Sequence, residues 1–289
     1  MQKYGIHVVL SLISLFFSVH LAALVTIPQS HPFSYDLGVK VIPSKIQINE
    51  ITICCHGYGH SNKIVDIAHS YNTLPGHLIG FNFPDYNIRP EMDHAKSVYG
   101  TVDEILPLLY LLNYYACEVK TSTINLYGFS AGGGAIVNAL AMLNHNLHDE
   151  HLQQLGISRD HKKQILNVLE RGIIILDCPL KSMEEVLAIK AKIPALEIIL
   201  PNLHIMADRF AQNNMRPIDN LQLLAGLPVT ILLHFQNPDE MTSNRDDALY
   251  IERLQKACDG KSHVVISSDG GHIGYHKGLW DYYKKLIAH

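Results

Sequence analysis

The chain has 289 residues, of which 47% are hydrophobic and 17% are charged, and its formal net charge is −4. It can therefore build a sizeable core, and its few cations exclude a basic face for binding nucleic acid. The five cysteines are an odd number without a CxxC spacing and the 18 histidines are scattered, so neither a disulfide framework nor a metal site is predicted.

The first predicted element is an apolar N-terminal segment. Lys3 precedes an apolar run over residues 8–19 that continues to residue 27. The run is shorter than the roughly 20 residues of a membrane span and is typical of a secretory signal peptide. Cleavage after Ala23 would place Leu21 at a position of the cleavage site where a small residue is preferred. An uncleaved membrane anchor over residues 1–27 is therefore the alternative. The remaining chain is therefore expected to be secreted or periplasmic, or anchored to a membrane.

Beyond residue 34, short β-branched runs alternate with longer amphipathic stretches. This order predicts one α/β domain over residues 34–289, with a mostly parallel central sheet and helices on both faces. The predicted strands are 46–55, 77–82, 123–127, 172–176, 229–235 and 263–267. The predicted helices are 93–115, 131–147, 159–170, 182–189 and 245–257.

The region 190–226 interrupts this alternation. It is apolar and helix-like, it contains three prolines, and it lies between two predicted strands that need only one crossover helix. We interpret it as an extended crossover that forms a lid.

The strongest local motif is Gly128-Phe-Ser-Ala-Gly132, which follows an apolar strand and opens an alanine-rich helix. This is the G-x-S-x-G nucleophile elbow in its required context, with Ser130 as the candidate nucleophile. The sharp turn leaves no room for side chains at Gly128 and Gly132. The start of the helix directs the amide of Ala131 at an oxyanion that develops on an attacked carbonyl. A purely structural turn, or a phosphate cradle, is the alternative.

A second glycine-rich turn precedes the elbow in the chain. An apolar strand runs into His56-Gly57-Tyr58-Gly59-His60. Such a loop can supply a backbone donor to an oxyanion, but its glycines can also serve only to allow a tight turn.

Together these two motifs resemble the α/β-hydrolase superfamily, and the likeness extends over nearly the whole chain after the N-terminal segment. The stretch 174–186 is similar to esterase-like and prolyl-oligopeptidase-like branches. The resemblance implies an oxyanion hole formed by the amides of Ala131 and Tyr58, with Gly59 as the alternative to Tyr58. It also implies the chain order serine, acid, histidine.

Asp239 occupies the place of the family's acid, in the loop after the predicted strand 229–235. Asp177, which follows the predicted strand 172–176, and Glu240 are the competing carboxylates. An Asn-Pro-Asp sequence is also common in surface turns.

His272 follows the last predicted strand and two glycines, which resembles the family's histidine loop. His276 is its nearest competitor. Ser130, Asp239 and His272 are therefore the predicted catalytic residues, and they need no cofactor.

The resemblance implies a serine hydrolase, and the apolar borders at 190–226 and after Phe83 favour a carboxylic or lipid ester as substrate. A peptidase or an acyltransferase would use the same three residues. A ligand-binding protein without activity is the alternative of another class. The only membrane contact expected is through the N-terminal segment.

Overall fold

The structure, a computed structural model, describes residues 32–33, 35–45, 49–71, 73–84, 98, 100–145, 147–190, 203–239, 244–268, 271–272 and 276–288. Within these residues a seven-stranded sheet has the order β1-β3-β2-β4-β5-β6-β7. Only β1 is antiparallel to its neighbour, and the other paired strands run parallel. The strands are β1 Lys40–Ile42, β2 Glu50–Cys55, β3 His77–Gly80, β4 Thr123–Phe129, β5 Ile173–Asp177, β6 Thr230–Gln236 and β7 Ser262–Ser267.

Helices connect the parallel strands. The α-helices are α1 Ile64–Ser70, α2 Leu106–Asn113, α3 Ala131–Asn144, α4 Asp149–Gln154, α5 Arg159–Glu170, α6 Met183–Lys190, α7 Leu203–Gln212, α8 Pro217–Asn220, α9 Asp247–Ala257 and α10 Lys277–Ile287. Short 3-10 helices cover Val102–Glu104, Leu221–Leu224 and Asn244–Asp246, and a π-helical turn covers Tyr114–Glu118.

Both faces of the sheet are covered, because neighbouring residues of each central strand enter different cores. In β4, Leu126 belongs to the core formed with α2, α3, α5 and α9, whereas Tyr127 belongs to the core formed with α1 and α10. Leu233 and Leu232 divide in the same way in β6. This is the reason why the strands are apolar throughout. The predicted fold class, a mostly parallel sheet with helices on both faces, is confirmed.

Some predicted boundaries were wrong. Residues 46–48 of the predicted strand 46–55 lie outside the described residues, β2 begins at Glu50, and β1, α1, α4 and α10 were not predicted. Residues 93–97 and 99 of the predicted helix 93–115 also lie outside the described residues. Between residue 100 and α2 the chain forms turns and a 3-10 helix, and α2 begins at Leu106, because Pro107 lacks an N–H and fits an α-helix only in its first turn. The predicted helix 131–147 ends at Asn144. Where the prediction had one helix from residue 245, a 3-10 turn precedes α9.

The described part of the predicted lid includes α7 and α8. Asn138 of α3 donates a hydrogen bond to the Met215 carbonyl at 2.8 Å and accepts one from Asn220 of α8 at 2.8 Å. These amide contacts hold residues 215–220 on α3. Residues 191–202 of the predicted lid and the predicted signal peptide or anchor, 1–27, lie outside the described residues. No described helix is long and apolar enough to cross a bilayer.

Candidate active site

Ser130 occupies the sharp turn between β4 and α3. Its backbone has φ 53 and ψ −119, a conformation that residues other than glycine rarely adopt. A Cβ atom on Gly132 would lie 2.2 Å from the Cys55 carbonyl oxygen, and one on Gly128 would lie 2.6 Å from Ile136 Cδ1. Only glycine therefore fits at these two positions, as the nucleophile elbow requires.

The structure brings the three predicted catalytic residues together. His272 Nε2 lies 3.0 Å from Ser130 Oγ, and His272 Nδ1 lies 2.8 Å from Asp239 Oδ2. The side chains of His272 and Asp239 are almost fully buried. A carboxylate can only accept, so Nδ1 carries the proton of the neutral imidazole and Nε2 is left to accept the Ser130 hydroxyl proton. The competing carboxylate Glu240 lies outside the described residues.

Asn244 holds the loop that carries Asp239, a role that no sequence motif indicates. Its Oδ1 accepts from the Asp239 amide at 3.3 Å, and its Nδ2 donates to the Gln236 carbonyl at 2.9 Å. The same Nδ2 donates to Asp247 Oδ2 at 2.7 Å. One amide side chain therefore joins both ends of the acid loop to the start of α9.

Lys181 continues this network below the acid loop. Its buried ammonium group contacts Asp247 Oδ1, lies 3.3 Å from Glu185 Oε1, and sits 4.8 Å from the centroid of the Phe235 ring. Burial raises the pKa of Glu185 to about 7 against the opposing effect of the Lys181 charge. In the sequence this lysine resembles any surface lysine, so the network could not be predicted.

The turn after β2 packs directly on Ser130. A Cβ atom on Gly57 would lie 3.1 Å from Ser130 Cβ. Tyr58 lies in this turn, which the His60 amide closes by donating to the Gly57 carbonyl at 3.2 Å. Ala131 is the first residue of α3, where backbone N–H groups have no acceptor within the helix. The two predicted oxyanion donors thus belong to segments that flank the nucleophile.

His56 holds that turn in place, a role not predicted from the sequence. Its Nδ1 lies 2.9 Å from the Gly57 carbonyl oxygen, and its Nε2 accepts from the Phe83 amide at 3.1 Å. Burial lowers the pKa of His56 to about 4. The ring is therefore neutral at ordinary pH, with its one proton on Nδ1, and its two contacts are complementary to that tautomer.

The two competing residues, Asp177 and His276, bind each other rather than His272. Asp177 Oδ1 lies 2.9 Å from His276 Nδ1 and 2.7 Å from His234 Nδ1, and Tyr127 donates to Asp177 Oδ2 at 3.0 Å. All four side chains are buried. A second Asp–His cluster thus lies beside the first.

Three groups of described side chains are close enough to hold a metal ion, with candidate ligand atoms within 4.8 Å of one another: Asp177, Cys178, His234 and His276; Cys178, Asp239 and His272; and His148, Glu150 and His151. In the first group, the 2.7 and 2.9 Å separations are those of hydrogen bonds. Burial, together with Asp177 and Asp239, raises the pKa of the Cys178 thiol. Since a metal binds the thiolate, this thiol is a poor ligand.

Comparisons with solved structures find the same fold at low sequence identity. A lipase/esterase from Lactobacillus plantarum superposes with a TM-score of 0.56 at 15% identity, over 91% of this chain and 94% of the other. Est1E of Butyrivibrio proteoclasticus, with ferulic acid bound, has a TM-score of 0.55 at 13% identity, over 87% of this chain and 94% of the other. The Pyrococcus furiosus esterase Pf2001 has a TM-score of 0.53 at 15% identity, over 83% and 80%. Neither a protein-family model nor a curated protein sequence matches the chain.

Proposed function

The chain has the α/β-hydrolase fold, and we propose that it is a serine hydrolase that cleaves carboxylic esters through an acyl-enzyme intermediate. Ser130 is the nucleophile, His272 the general base and Asp239 the residue that orients the base. The observation that carries this proposal is the hydrogen-bonded line from Ser130 Oγ through the imidazole to Asp239, with separations of 3.0 and 2.8 Å.

The proposed reaction has two half-steps. Ser130 Oγ attacks the ester carbonyl carbon while His272 Nε2 takes the hydroxyl proton, and Asp239 stabilises the imidazolium that results. The imidazolium then gives this proton to the leaving alkoxide, the carbon–oxygen bond breaks, and an alcohol departs. In the second half-step His272 takes a proton from water, the hydroxide attacks the acyl group, and the released Ser130 oxygen recovers the proton as the carboxylic acid leaves.

The negative charge that develops on the carbonyl oxygen needs donors that are already in place. We assign this role to the amides of Ala131 and Tyr58, which belong to the two segments flanking Ser130. The neutral His56 ring supports the role of Tyr58, because it holds the neighbouring Gly57 peptide. Preorganised donors of this kind are each worth about 2.7–4 kcal/mol of transition-state stabilisation.

Ester substrates are favoured over peptides on two grounds. Several of the structures that share the fold are described as esterases or lipases. In addition, the apolar residues of 190–226 suit the border of an acyl pocket. One of the similar structures holds ferulic acid, so an aromatic ester belongs among the substrates to be tested.

The test is labelling with a fluorophosphonate probe, which reacts with an activated serine. We expect the wild-type protein to be labelled and a folded Ser130→Ala variant to be unlabelled, with a loss in kcat on the order of 10⁶. Ser70→Ala is the matched control, because Ser70 is an exposed serine on α1. Labelling of Ser130→Ala at the wild-type rate would disprove the assignment.

A substrate panel then separates the activities that share these residues. It contains p-nitrophenyl esters of increasing chain length, methyl ferulate and aminoacyl anilides. Turnover of the esters alone supports the proposal, whereas turnover of the anilides alone identifies a peptidase. Transfer of the acyl group to an added alcohol instead of water identifies an acyltransferase. Neither labelling nor turnover would point to a ligand-binding protein.

A further inference from the structure

We propose that Asp177 and His276 form a buried ion pair that positions the candidate base. In this arrangement His276 is an imidazolium whose two N–H groups join the Asp177 carboxylate to the Gly271 carbonyl, and so hold the residue that precedes His272. The inference rests on the proposed function, in which His272 is the base. Asp177 and His276 are positioning residues, because neither contacts Ser130 through its side chain.

Both ring nitrogens of His276 face oxygen atoms. Its Nδ1 lies 2.9 Å from Asp177 Oδ1, and its Nε2 lies 2.8 Å from the Gly271 carbonyl oxygen. A carbonyl oxygen can only accept, and so can an ionised carboxylate. A neutral imidazole has one N–H and would face one of these acceptors with a lone pair. The ring satisfies both contacts only when both nitrogens carry protons.

The second step is the charge of Asp177. Burial alone would raise the pKa of this carboxyl group, but hydrogen bonds from His234 and His276 outweigh burial and hold the pKa well below its ordinary value. Tyr127 donates a further bond to the same group. Asp177 is therefore an anion that is 2% exposed. A buried anion is stabilised by hydrogen-bond donors and by a partner of opposite charge, and an imidazolium at His276 provides both.

His234 does not need to carry that charge. Its Nδ1 donates to Asp177 Oδ1 at 2.7 Å, while its Nε2 lies 2.7 Å from Ser267 Oγ, a hydroxyl that can donate to it. In the structure Ser267 Oγ donates to Gln236 Oε1 at 3.1 Å. With the Gln236 amide turned, its N–H donates to Ser267 Oγ instead and leaves the hydroxyl proton for His234 Nε2. His234 is thus satisfied as a neutral ring.

Among the described residues, ionisable groups on three neighbouring strands surround the Asp177–His276 pair. Asp177 lies at the end of β5 with Cys178 after it, Tyr127 lies in β4, and His234 lies in β6, its ring centroid 4.5 Å from that of His276. A divalent metal would satisfy the same lone pairs as a proton. The hydrogen-bond lengths within the cluster and the raised pKa of the Cys178 thiol favour the proton.

The link to the reaction is short. Gly271 is the residue before His272, and its carbonyl is held by His276 Nε2, while the backbone of Asp177 accepts a hydrogen bond from the Ser130 amide at 2.9 Å. The pair therefore connects the backbone of the candidate nucleophile to that of the candidate base. A displacement of about 1 Å in such a group costs roughly 100-fold in rate.

The experiment combines kinetics with nitrogen-15 NMR of the full chain labelled at histidine. We expect His276→Gln, which keeps one donor but removes the charge, to lower kcat about 100-fold with KM little changed. His69→Gln, at an exposed position on α1, is the matched control. In the wild type at about pH 8, where ordinary histidines are neutral, one imidazole should still carry both ring protons. A residue that only fills space would not produce this signal.

Three results would overturn the proposal. They are a His276→Gln variant that keeps kcat within about threefold of wild type, a wild-type spectrum without an imidazolium at that pH, and one equivalent of zinc in the purified protein that a chelator removes together with activity. If His276→Gln does not fold, the spectrum of His234→Gln assigns the signal instead: an imidazolium that persists there belongs to His276, whereas its loss places the charge on His234 and also overturns the proposal. If the fluorophosphonate probe fails to label the wild type, the proposed function fails, while the protonation state of His276 remains a separate result.

Discussion

The strained backbone of Ser130 is held by hydrogen bonds on both sides of the residue. Its amide donates to the Asp177 carbonyl at 2.9 Å, and its carbonyl accepts from the amides of Gly133, Gly134 and Leu180 at 3.0, 3.2 and 2.9 Å. Because every backbone group is engaged, relaxing φ would break several bonds at once. A left-handed conformation at a serine costs about 1–3 kcal/mol and persists only where its surroundings impose it.

Gly132 is the residue at which this turn tolerates change least. We predict that Gly132→Ala destabilises the protein by about 1–3 kcal/mol and slows fluorophosphonate labelling, because the new methyl group would meet backbone atoms that cannot rotate away. Its Cβ would lie 2.2 Å from the Cys55 carbonyl oxygen and 2.7 Å from that of His56. Urea unfolding and the labelling rate measure the two effects.

Gly156→Ala is the control for this substitution. Gly156 has φ +70 but no atom within 4 Å of an added Cβ, so it isolates backbone strain from steric conflict. We expect Gly156→Ala to lower the free energy of unfolding by about 1 kcal/mol or more and to leave the labelling rate of Ser130 unchanged. Labelling of Gly132→Ala at the wild-type rate would show that the turn is not as tightly packed as the structure implies.

At the scale of the elements, the sequence was informative where one segment determines its own structure. The apolar runs that became β4, β5 and β6 need both faces covered wherever they lie, and the glycines around Ser130 are required by one local turn. Both features could be predicted. By contrast, β1 is only three residues long and partly exposed, so its pairing with β3 determines it more than its own composition does.

The side chains that support the candidate site could not be predicted for a related reason. Asp239 and His272 follow family motifs, but Asn244 acts through Asp247 and Lys181, which lies 66 residues away from Asp247 in the chain. His56 is held by the Phe83 amide, 27 residues away. Such contacts follow from the packing of elements, and one sequence contains no local pattern that marks them.

Lys181 offers a test of how far α6 and α9 depend on this contact. We predict that Lys181→Met destabilises the protein by about 3–5 kcal/mol, because it leaves the Asp247 and Glu185 carboxylates without their cation. Methionine keeps the volume of the side chain, so a large effect reports the lost charge. The midpoint of urea unfolding measures the change.

Lys163→Met is the matched control, since Lys163 is an exposed lysine that lies 3.6 Å from Asp160 on the same helix. Exposed pairs of this kind contribute at most about 1 kcal/mol. Equal unfolding midpoints for the two variants would mean that the buried contacts of Lys181 contribute no more than a surface pair.

For the molecule as a whole, the polar side chains of the candidate site lie at one edge of the sheet. The residues at the carboxyl ends of β2, β4, β5 and β6 lead into the turn of His56, the turn of Ser130, the Asp177 cluster and the acid loop. Groups buried there must keep fixed protonation states in the folded chain. The unfolded chain titrates them at their ordinary pKa values, so the stability of the protein should depend on pH.

His56 and Glu185 should make opposing contributions to this dependence in mildly acidic solution, because the pKa of His56 is lowered and that of Glu185 is raised. Burial lowers the pKa of His56 from 6.5 to about 4, so between these values the unfolded chain binds more protons at His56 than the folded chain. The His56 contribution to the free energy of unfolding therefore rises with pH in this window, whereas the Glu185 contribution falls. We predict that acidification from pH 7 to 4 removes about 3 kcal/mol through His56. Asp177, whose pKa is also lowered, adds a loss in the same direction only below the ordinary pKa of an aspartate.

The prediction is checked by urea unfolding of the wild type and of His56→Asn at several pH values between 4 and 7. Asparagine places an N–H near the position of Nδ1, so the variant keeps a donor for the Gly57 carbonyl but has no group that titrates. At pH 7 it should be less stable than the wild type, because the contact with the Phe83 amide is lost. Its stability should change with pH by about 3 kcal/mol less over this window. Parallel pH curves for the two proteins would mean that burial does not keep His56 neutral. A contact other than that of His56 would then have to fix the turn that contains Tyr58.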